Sequence, residues 1–403
     1  MNVAISPAAG VKAPGKPSLA ERDRRYKLIR AAMADKGIDV LLLPANHSRW
    51  EQMMADSRYV TTIGGFGTET FTVFPANGEV TAYTFNRAGW WKKAQNWVSD
   101  VRDGHNHWAA NAIERMTELG FKKGRIGVSG LIGLTRAPDG LLPYHTIEEI
   151  KKAFPAAELV DATPLVQAAR SVKSEEEIGL MRHSMSIIEK MTEAMKAEAR
   201  VGNNERNVYA ALISTLLRNG AEMPSLMIFG SGAEIRSGSF VPGTRTLEKG
   251  DLIVNEIEAR YEGYSCQAVC PLAIGEPKAG YRDIFKTSRA CFEAVTERMT
   301  PGTTFGELMD VYAETLKKAG AEYSGQNPLM HARGLGDETP ALLGKSDIER
   351  FRKVALQPGM VFILKPGVAS DKTGLAGRVG DSVVVTAKGG ERIGKRPLDL
   401  QIV

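Results

Sequence analysis

Short apolar runs alternate with helical repeats from residue 19 to residue 160, and this alternation constrains the fold more than any other feature. Leu19 to Lys36 has helical spacing before Gly37, and the run from Ile38 to Pro44 is typical of a buried strand. Further strands are predicted at Tyr59 to Ile63, Thr70 to Phe74, Glu79 to Phe85 and Arg125 to Val128, and further helices at Trp108 to Leu119 and Thr146 to Phe154. Such alternation predicts a complete α/β domain.

The pattern changes near residue 165. Long amphipathic helices are predicted at 165–170, 175–199 and 205–219. After them the chain becomes rich in strands, and Leu252 to Ala259 and Tyr264 to Ile274 flank a predicted hairpin turn at Arg260 to Gly263. We therefore divide the chain into a flexible N-terminal arm (1–18), an N-terminal domain (19–165) and a C-terminal domain (166–403).

Composition excludes several classes of protein. A hydrophobic content of 43% is too high for a disordered chain. The sequence has no uncharged apolar run of about 18 residues, so no membrane span is expected. Its 52 basic and 47 acidic residues are spread without blocks, which does not favour nucleic-acid binding. Three cysteines and the lack of an apolar leader predict free thiols in a cytoplasmic protein.

Several ordered motifs of the C-terminal part then stand together. They are the segment from Arg170 to Ile178 (Arg-Ser-Val-Lys-Ser-Glu-Glu-Glu-Ile), Gly250 to Ile253 leading to Gly263-Tyr264, Pro301 to Thr304, and Gly359 to Phe362. In order and spacing they resemble the creatinase/aminopeptidase P/methionine aminopeptidase superfamily, which includes the prolidases. The resemblance implies a creatinase-like N-terminal α/β domain followed by a pita-bread catalytic domain with a curved antiparallel sheet and flanking helices. It also implies a homodimer in which the N-terminal domain contributes to the partner's active site.

The metallopeptidases of this superfamily hold two divalent cations with two Asp, one His and two Glu, the oxygen and imidazole ligands that such ions prefer. Carried over by position, these ligands fall on Glu256, Gln267, His331, Lys365 and Gly380. Glu256 and Lys365 cancel in charge, and the other three are neutral. A lysine at a cation position would repel a metal ion. We therefore expect no metal and no other cofactor.

Creatinase is a metal-free relative, but its chemistry does not suit this sequence. Ser239 stands where the resemblance places the catalytic histidine of creatinase, and Val269 and Lys365 stand where its two substrate-binding carboxylates fall. A cationic guanidinium substrate would therefore meet an apolar residue and a like charge, which disfavours creatine as the substrate.

The remaining groups favour proton transfer. Glu256, His331 and Lys365 are the predicted catalytic residues, since a buried lysine beside a carboxylate and a histidine can act as acid and base. The leading hypothesis is a metal- and cofactor-independent lyase that cleaves a C–C bond with release of formaldehyde, or a C–heteroatom bond, in a small organic molecule. The alternatives are a metal-independent C–N hydrolase with water held by His331 and Glu256, an Xaa-Pro metallopeptidase with unusual ligands, and a non-catalytic binding protein.

Six further residues are predicted to contact the substrate: Gln267, Arg333, Ser239, Tyr264, Trp90 and Trp91. The two tryptophans suggest a possibly aromatic substrate, although packing in the core or at a dimer interface is the favoured interpretation of them. Arg333 could instead pair with Asp337, and Gln267 could satisfy neighbouring backbone groups. Glu256 and Glu258 alternate along one strand, so a solvated sheet face is the other reading of Glu256.

Overall fold

The N-terminal half of the computed structural model contains a sheet with helices on both sides. The structure describes residues 13–44, 52–65, 68–132 and 139–403, with residues 52–54 and 345 described by their backbone alone. The helices of this half are α1 (Leu19–Lys36), α2 (Gln52–Thr61), α3 (Ala88–Ala94), α4 (Trp108–Glu118), α5 (Tyr144–Ala153) and α6 (Thr163–Ser171). The strands are β1 (Val40–Leu43), β2 (Thr70–Pro75), β3 (Thr81–Thr84), β4 (Asp100–Asp103), β5 (Gly124–Val128) and β6 (Ala157–Asp161).

The strands form one mixed six-stranded sheet in the order β4-β3-β2-β1-β5-β6. β1 is antiparallel to β2 but parallel to β5, and it is buried throughout, as its continuous apolar run predicts. Helix α1 begins at the N-cap Ser18 and ends at Gly37, whose φ of 61° suits a residue without a side chain. This confirms the predicted α/β N-terminal domain.

One predicted strand is wrong. Residues 59–61 belong to helix α2, and residues 62 and 63 follow it. Every residue from Ala55 to Thr61 is buried, so the burial pattern shows neither the two-residue period of a half-buried strand nor the one-sided stripe of a surface helix. A short apolar run fits a buried strand as well as one face of a helix, so the sequence pattern alone could not separate the two.

The C-terminal half is built from curved sheets covered by helices. Its helices are α7 (Glu175–Glu198), α8 (Glu205–Arg218), α9 (Tyr281–Arg298), α10 (Phe305–Ala319) and α11 (Lys345–Phe351). Its strands are β7 (Ile228–Gly232), β8 (Leu252–Tyr261), β9 (Tyr264–Ala268), β10 (Leu272–Ala273), β11 (Tyr323–Ser324), β12 (Met330–Arg333), β13 (Asp337–Leu342), β14 (Val361–Leu364), β15 (Gly367–Ser370), β16 (Ala376–Arg378), β17 (Asp381–Thr386), β18 (Gly389–Arg392) and β19 (Gln401–Ile402). The described strand pairs of this half are antiparallel except for β10 with β19.

Strands β8 and β9 form the predicted hairpin, with Tyr261 paired to Tyr264. Its two turn residues, Glu262 and Gly263, both have positive φ, as a tight two-residue turn requires. A five-stranded sheet in the order β13-β12-β14-β17-β18 lies beside this hairpin. A bridge between Val269 and Gly380 joins the two, so β8, β9, β12, β14 and β17 meet at one place.

The two halves contact one another through helices α6 and α7 and through the described part of the N-terminal segment. Lys16 donates to the carbonyl of Ala94, the Trp97 indole donates to the carbonyl of Pro17, and Ser18 donates to Glu176 on α7. Residues 1–12 of the predicted arm lie outside the described residues. Among the described helices, none is both long enough and apolar enough to cross a membrane.

Candidate active site

The meeting point of the strands brings together the five positions singled out in the sequence. Glu256 lies on β8, Gln267 on β9 and His331 on β12. Lys365 follows β14 directly, and Gly380 directly precedes β17. Taken as whole residues, Glu256, Gln267, His331 and Lys365 are each at most 4% exposed. A solvated sheet face is therefore not the environment of Glu256.

Glu256 is shared by two cations. The Lys365 ammonium donates to Glu256 Oε2 at 2.8 Å, and Arg378 Nη2 donates to Glu256 Oε1 at 2.6 Å. The side chain of Arg378 is 33% exposed, whereas those of Lys365 and Glu256 are 5% and 6% exposed. We call these three residues the cavity ion group. Arg378 is the member through which this group reaches solvent.

The charges of the group shift its pKa values. Burial opposes ionisation of Glu256, but Lys365 and Arg378 outweigh it and lower the pKa of the carboxyl to about 2. Burial lowers the pKa of the Lys365 ammonium, and Arg378 adds to this, while Glu256 acts in the opposite direction. Glu256 is thus ionised near neutral pH, and Lys365 releases its proton more readily than a lysine in water.

A second set of buried contacts surrounds His331. Asp337 Oδ1 lies 3.4 Å from His331 Nδ1 and also accepts from Arg333 Nη1. Arg333 pairs with Glu258, whose Oε2 accepts from the Gln267 amide at 3.0 Å. Gln267 Oε1 in turn lies 3.5 Å from the Lys365 ammonium. His331 is therefore linked to the cavity ion group through a continuous set of polar contacts.

Beside the cavity ion group lies a cavity of about 550 Å³. Asn255, Val269, Phe285 and Arg378 are among the residues that line it, and Arg236 contributes a second guanidinium. Among the described residues that line the cavity, two are arginines and none is Asp or Glu. Its electrostatic character therefore favours an anionic ligand.

Gly380 makes room for Lys365. A Cβ atom at position 380 would lie 2.6 Å from Lys365 Cγ, 3.0 Å from Val269 Cγ2 and 3.1 Å from the carbonyl oxygen of Leu364. A side chain at this position would therefore force Lys365 or its neighbours to shift. The lysine and the glycine are thus two parts of one arrangement.

None of the predicted site residues, Glu256, Gln267, His331 and Lys365 included, is among the described residues that line the cavity. Ser239 is exposed and pairs through its backbone with Phe229, next to the lining residues 237 and 238. The Tyr264 hydroxyl is buried between the two halves of the chain, where it accepts from Arg25 and donates to Glu177, both at 2.8 Å. Arg333 is fully buried and pairs with Glu258 and Asp337. The pair with Asp337 is the alternative to substrate contact that the sequence offered for Arg333.

Trp90 and Trp91 lie on α3 of the N-terminal domain. Their rings meet edge to face at 4.5 Å, with Trp91 buried and Trp90 59% exposed. Within the described cavity lining, neither contributes. A role in substrate contact for these tryptophans, and for the residues of the preceding paragraph, stays a prediction.

Sequence reasoning missed Arg378, Arg236 and Glu258 as members of the site. Arg378 could have been found, because it lies two residues before Gly380 and alternate residues of an extended segment point to the same side. Glu258 stands in the same relation to Glu256. Arg236 lies in a loop, and no periodic pattern marks it.

The family follows from a comparison with known proteins. A model of metallopeptidase family M24 matches residues 179–387, more than half of the chain. The chain belongs to metallopeptidase family M24. A model of the creatinase/prolidase N-terminal domain matches residues 25–172 of this M24 protein. These matches confirm the superfamily and the two-domain fold that the sequence motifs predicted.

Individual proteins similar to this chain agree with the family assignment. The Xaa-Pro dipeptidase of Pyrococcus horikoshii is 28% identical over 261 residues, which cover 64% of this chain and 72% of that protein. The solved Xaa-Pro dipeptidase of Bacillus anthracis has a TM-score of 0.76 at 24% identity, covering 95% of this chain and 100% of its own. The solved X-Pro aminopeptidase of Thermotoga maritima has a TM-score of 0.77 at 23% identity, covering 95% and 99%. The structural matches establish the fold.

The leading functional hypothesis was wrong. A cofactor-free lyase conflicts with relatives that are named dipeptidases and belong to a metallopeptidase family, since both point to hydrolysis. The expectations of a metal-independent class and of aromatic-compound catabolism conflict with the same relatives. The loss of metal ligands does not by itself determine which reaction a site performs.

The side chains of this M24 member do not fit the two-cation centre that the superfamily implies. Lys365 brings an ammonium to 2.8 Å from Glu256, where it competes with any metal ion for that carboxylate. Gly380 offers no side-chain ligand. Among the described residues, no three His, Cys, Asp or Glu side chains are grouped so that they could hold a metal ion.

Proposed function

We propose that this M24 protein hydrolyses a C–N bond in a small substrate that carries a negatively charged group. Relatives named Xaa-Pro dipeptidase support peptide-bond hydrolysis. The cavity volume of about 550 Å³ suits a dipeptide-sized molecule. The observation that carries the proposal is Arg378, which lines this cavity while it donates to the buried Glu256 at 2.6 Å. A ligand that reaches Arg378 is thus next to the cavity ion group.

Each residue has a defined role in this reaction. Arg378 binds the anionic part or the carbonyl oxygen of the substrate, and Glu256 holds Lys365 in place. His331 accepts a proton from the attacking water, because Glu256, with its pKa of about 2, is too weak a base near neutral pH. The water oxygen bonds to the carbonyl carbon, the C–N bond breaks, and Lys365 supplies the proton that the leaving nitrogen needs.

Product analysis in ¹⁸O-labelled water tests the reaction type. The purified protein is incubated with Xaa-Pro dipeptides, other dipeptides and N-acyl amino acids, each with and without added Mn²⁺, and the products are examined by mass spectrometry. We expect one solvent oxygen in the carboxylate product. Failure to cleave any of these substrates, or cleavage without incorporation of ¹⁸O, would contradict the proposal.

Lys365→Met tests the role of the lysine on whichever substrate is cleaved. We expect kcat to fall by about 10²- to 10⁴-fold, the usual contribution of general acid catalysis. Lys249→Met is the matched control, because Lys249 is exposed and lies outside the site. Equal turnover by the two variants would remove Lys365 from the mechanism.

We propose three further properties of this protein. They are a homodimer in which the N-terminal domain contributes to the partner's site, a cytoplasmic location without nucleic-acid partners, and domain limits at 19–165 and 166–403. Analytical ultracentrifugation of the full chain measures the oligomeric state. A monomer at all concentrations would contradict the first of them.

A further inference from the structure

A buried group of ions lies where the N-terminal domain meets the C-terminal domain. Asp56 on α2 is fully buried, and its Oδ1 accepts from Arg170 Nη1 on α6 at 2.5 Å. Its other oxygen accepts from the Ser129 hydroxyl, which follows β5. The position of the Arg170 guanidinium is therefore fixed from the side of the N-terminal domain.

Arg170 extends this contact into the C-terminal domain. Its Nη2 donates to Glu338 Oε1 on β13 at 3.1 Å, and the Lys173 ammonium pairs with Glu338 Oε2. The space around this carboxylate is full, because a Cβ atom at Gly334 would lie 2.6 Å from Glu338 Oε1 and 2.9 Å from Lys173 Cε. We call Asp56, Arg170, Lys173 and Glu338 the junction ion cluster. It holds Glu338 with little freedom to shift.

The neighbour of Glu338 on β13 belongs to the candidate active site. Asp337 points to the opposite side of the strand from Glu338. There its Oδ1 lies 3.4 Å from His331 Nδ1 and accepts from Arg333. Because the two residues share a peptide bond, a movement of Glu338 displaces Asp337 relative to His331. The junction ion cluster and the active site are thus joined through one strand.

We propose that Asp56 of the N-terminal domain is a positioning residue for His331. Asp56 holds Arg170, Arg170 and Lys173 hold Glu338, and Glu338 fixes the register of β13 that sets Asp337 against the imidazole. The inference concerns the geometry of His331 and does not depend on which bond the protein cleaves. The N-terminal domain then acts on the site of its own chain from within the fold.

The test is the ¹⁵N spectrum of the histidine side chains in the full-length protein. His331→Gln assigns the His331 signals among those of the six histidines. In Asp56→Asn, we expect the imidazole nitrogens of His331 to shift more than those of any other histidine. A change in stability alone would not move the resonances of the folded state. The matched control is Asp100→Asn, which removes a carboxylate of the same domain that bonds Arg102 and Thr81 instead.

Ser129→Ala keeps the test decisive if Asp56→Asn does not fold. It removes only the hydroxyl that donates to Asp56, and we expect a smaller shift of the same His331 signals. Unchanged His331 signals in a folded Asp56→Asn protein, or in Ser129→Ala where only that variant folds, would overturn the proposal. A shift of equal size in Asp100→Asn would overturn it as well.

Discussion

Asp56 in the junction ion cluster and Glu256 in the cavity ion group are both buried carboxylates that accept from an arginine, yet their pKa values move in opposite directions. Burial raises the pKa of Asp56, although Arg170 opposes it. At Glu256, burial is outweighed by Lys365 and Arg378, and the pKa falls to about 2. The junction ion cluster has two cations for two carboxylates, whereas the cavity ion group has two cations for one.

The two groups also differ in their access to a ligand. The side chains of the junction ion cluster are at most 1% exposed, so solvent does not reach its ion pairs. The cavity ion group reaches the cavity through Arg378. Besides Glu256, the Arg378 guanidinium can therefore bind an anionic group of a substrate. A buried ion pair therefore indicates a functional site only where its charge is in excess and one member faces a cavity.

The largest expected effect separates the two arginines. Arg170→Met leaves the buried Asp56 with the Ser129 hydroxyl but without a cation, and it removes one of the two cations that pair with Glu338. We therefore expect the free energy of unfolding to fall by about 3–5 kcal/mol. Arg378→Met is the matched variant. Glu256 keeps Lys365 there and Arg378 is partly exposed, so a loss of only about 1 kcal/mol is expected. Urea denaturation measures both, and similar losses would refute the contrast between a sealed and an open group.

The opposite pKa shifts predict opposite effects on stability in acid. The pKa of Glu256 lies below its ordinary value of 4.5, so its stabilisation is present above pH 4.5 and is lost as the pH falls towards 2. At about 1.4 kcal/mol per pKa unit, the loss is about 3 kcal/mol. The pKa of Asp56 is raised, so its contribution has the opposite sign and favours the folded state as the pH falls.

Unfolding free energies from about pH 6 to about pH 3 test this pair of shifts. Glu256→Gln should make the loss of stability in acid shallower than in the wild type, and Asp56→Asn should make it steeper. Each variant is the control for the other, because each removes one buried carboxylate. The same slope in all three proteins would show that neither carboxylate carries the shift assigned to it.

Local signals explain which parts of the fold the sequence could predict. Helix α1 was predicted at its observed ends, because Ser18 caps its start and Gly37 takes a left-handed conformation at its end. The segment Tyr59 to Ile63 was misread, because the residues that decide its conformation lie elsewhere. Tyr59, for example, donates to the carbonyl of Ala169, 110 residues away.

The same limit applies to the candidate active site. The convergence of Glu256, Gln267 and Lys365 followed from motif positions in the resemblance, and those positions need only the order of the strands. The placement of Tyr264 did not follow, since its hydroxyl meets Arg25, 239 residues away. The residues of the cavity wall could not be predicted either, because the wall includes loop residues such as 324–327 and Arg236. No periodic pattern determines the conformation of such loops.

The smallest expected effect concerns the space that Gly380 leaves for Lys365. In Gly380→Ala the new methyl group would lie 2.6 Å from Lys365 Cγ, and the resulting overpacking should cost about 1–3 kcal/mol of unfolding free energy. Gly344→Ala is the control, because nothing lies within 4 Å of a Cβ at that position. In a Lys365→Ala background the Cγ is absent, so the cost of Gly380→Ala should shrink. The same cost in both backgrounds would contradict this explanation. It would mean that contacts with Val269 and Leu364, and not the space taken by Lys365, require a glycine at position 380.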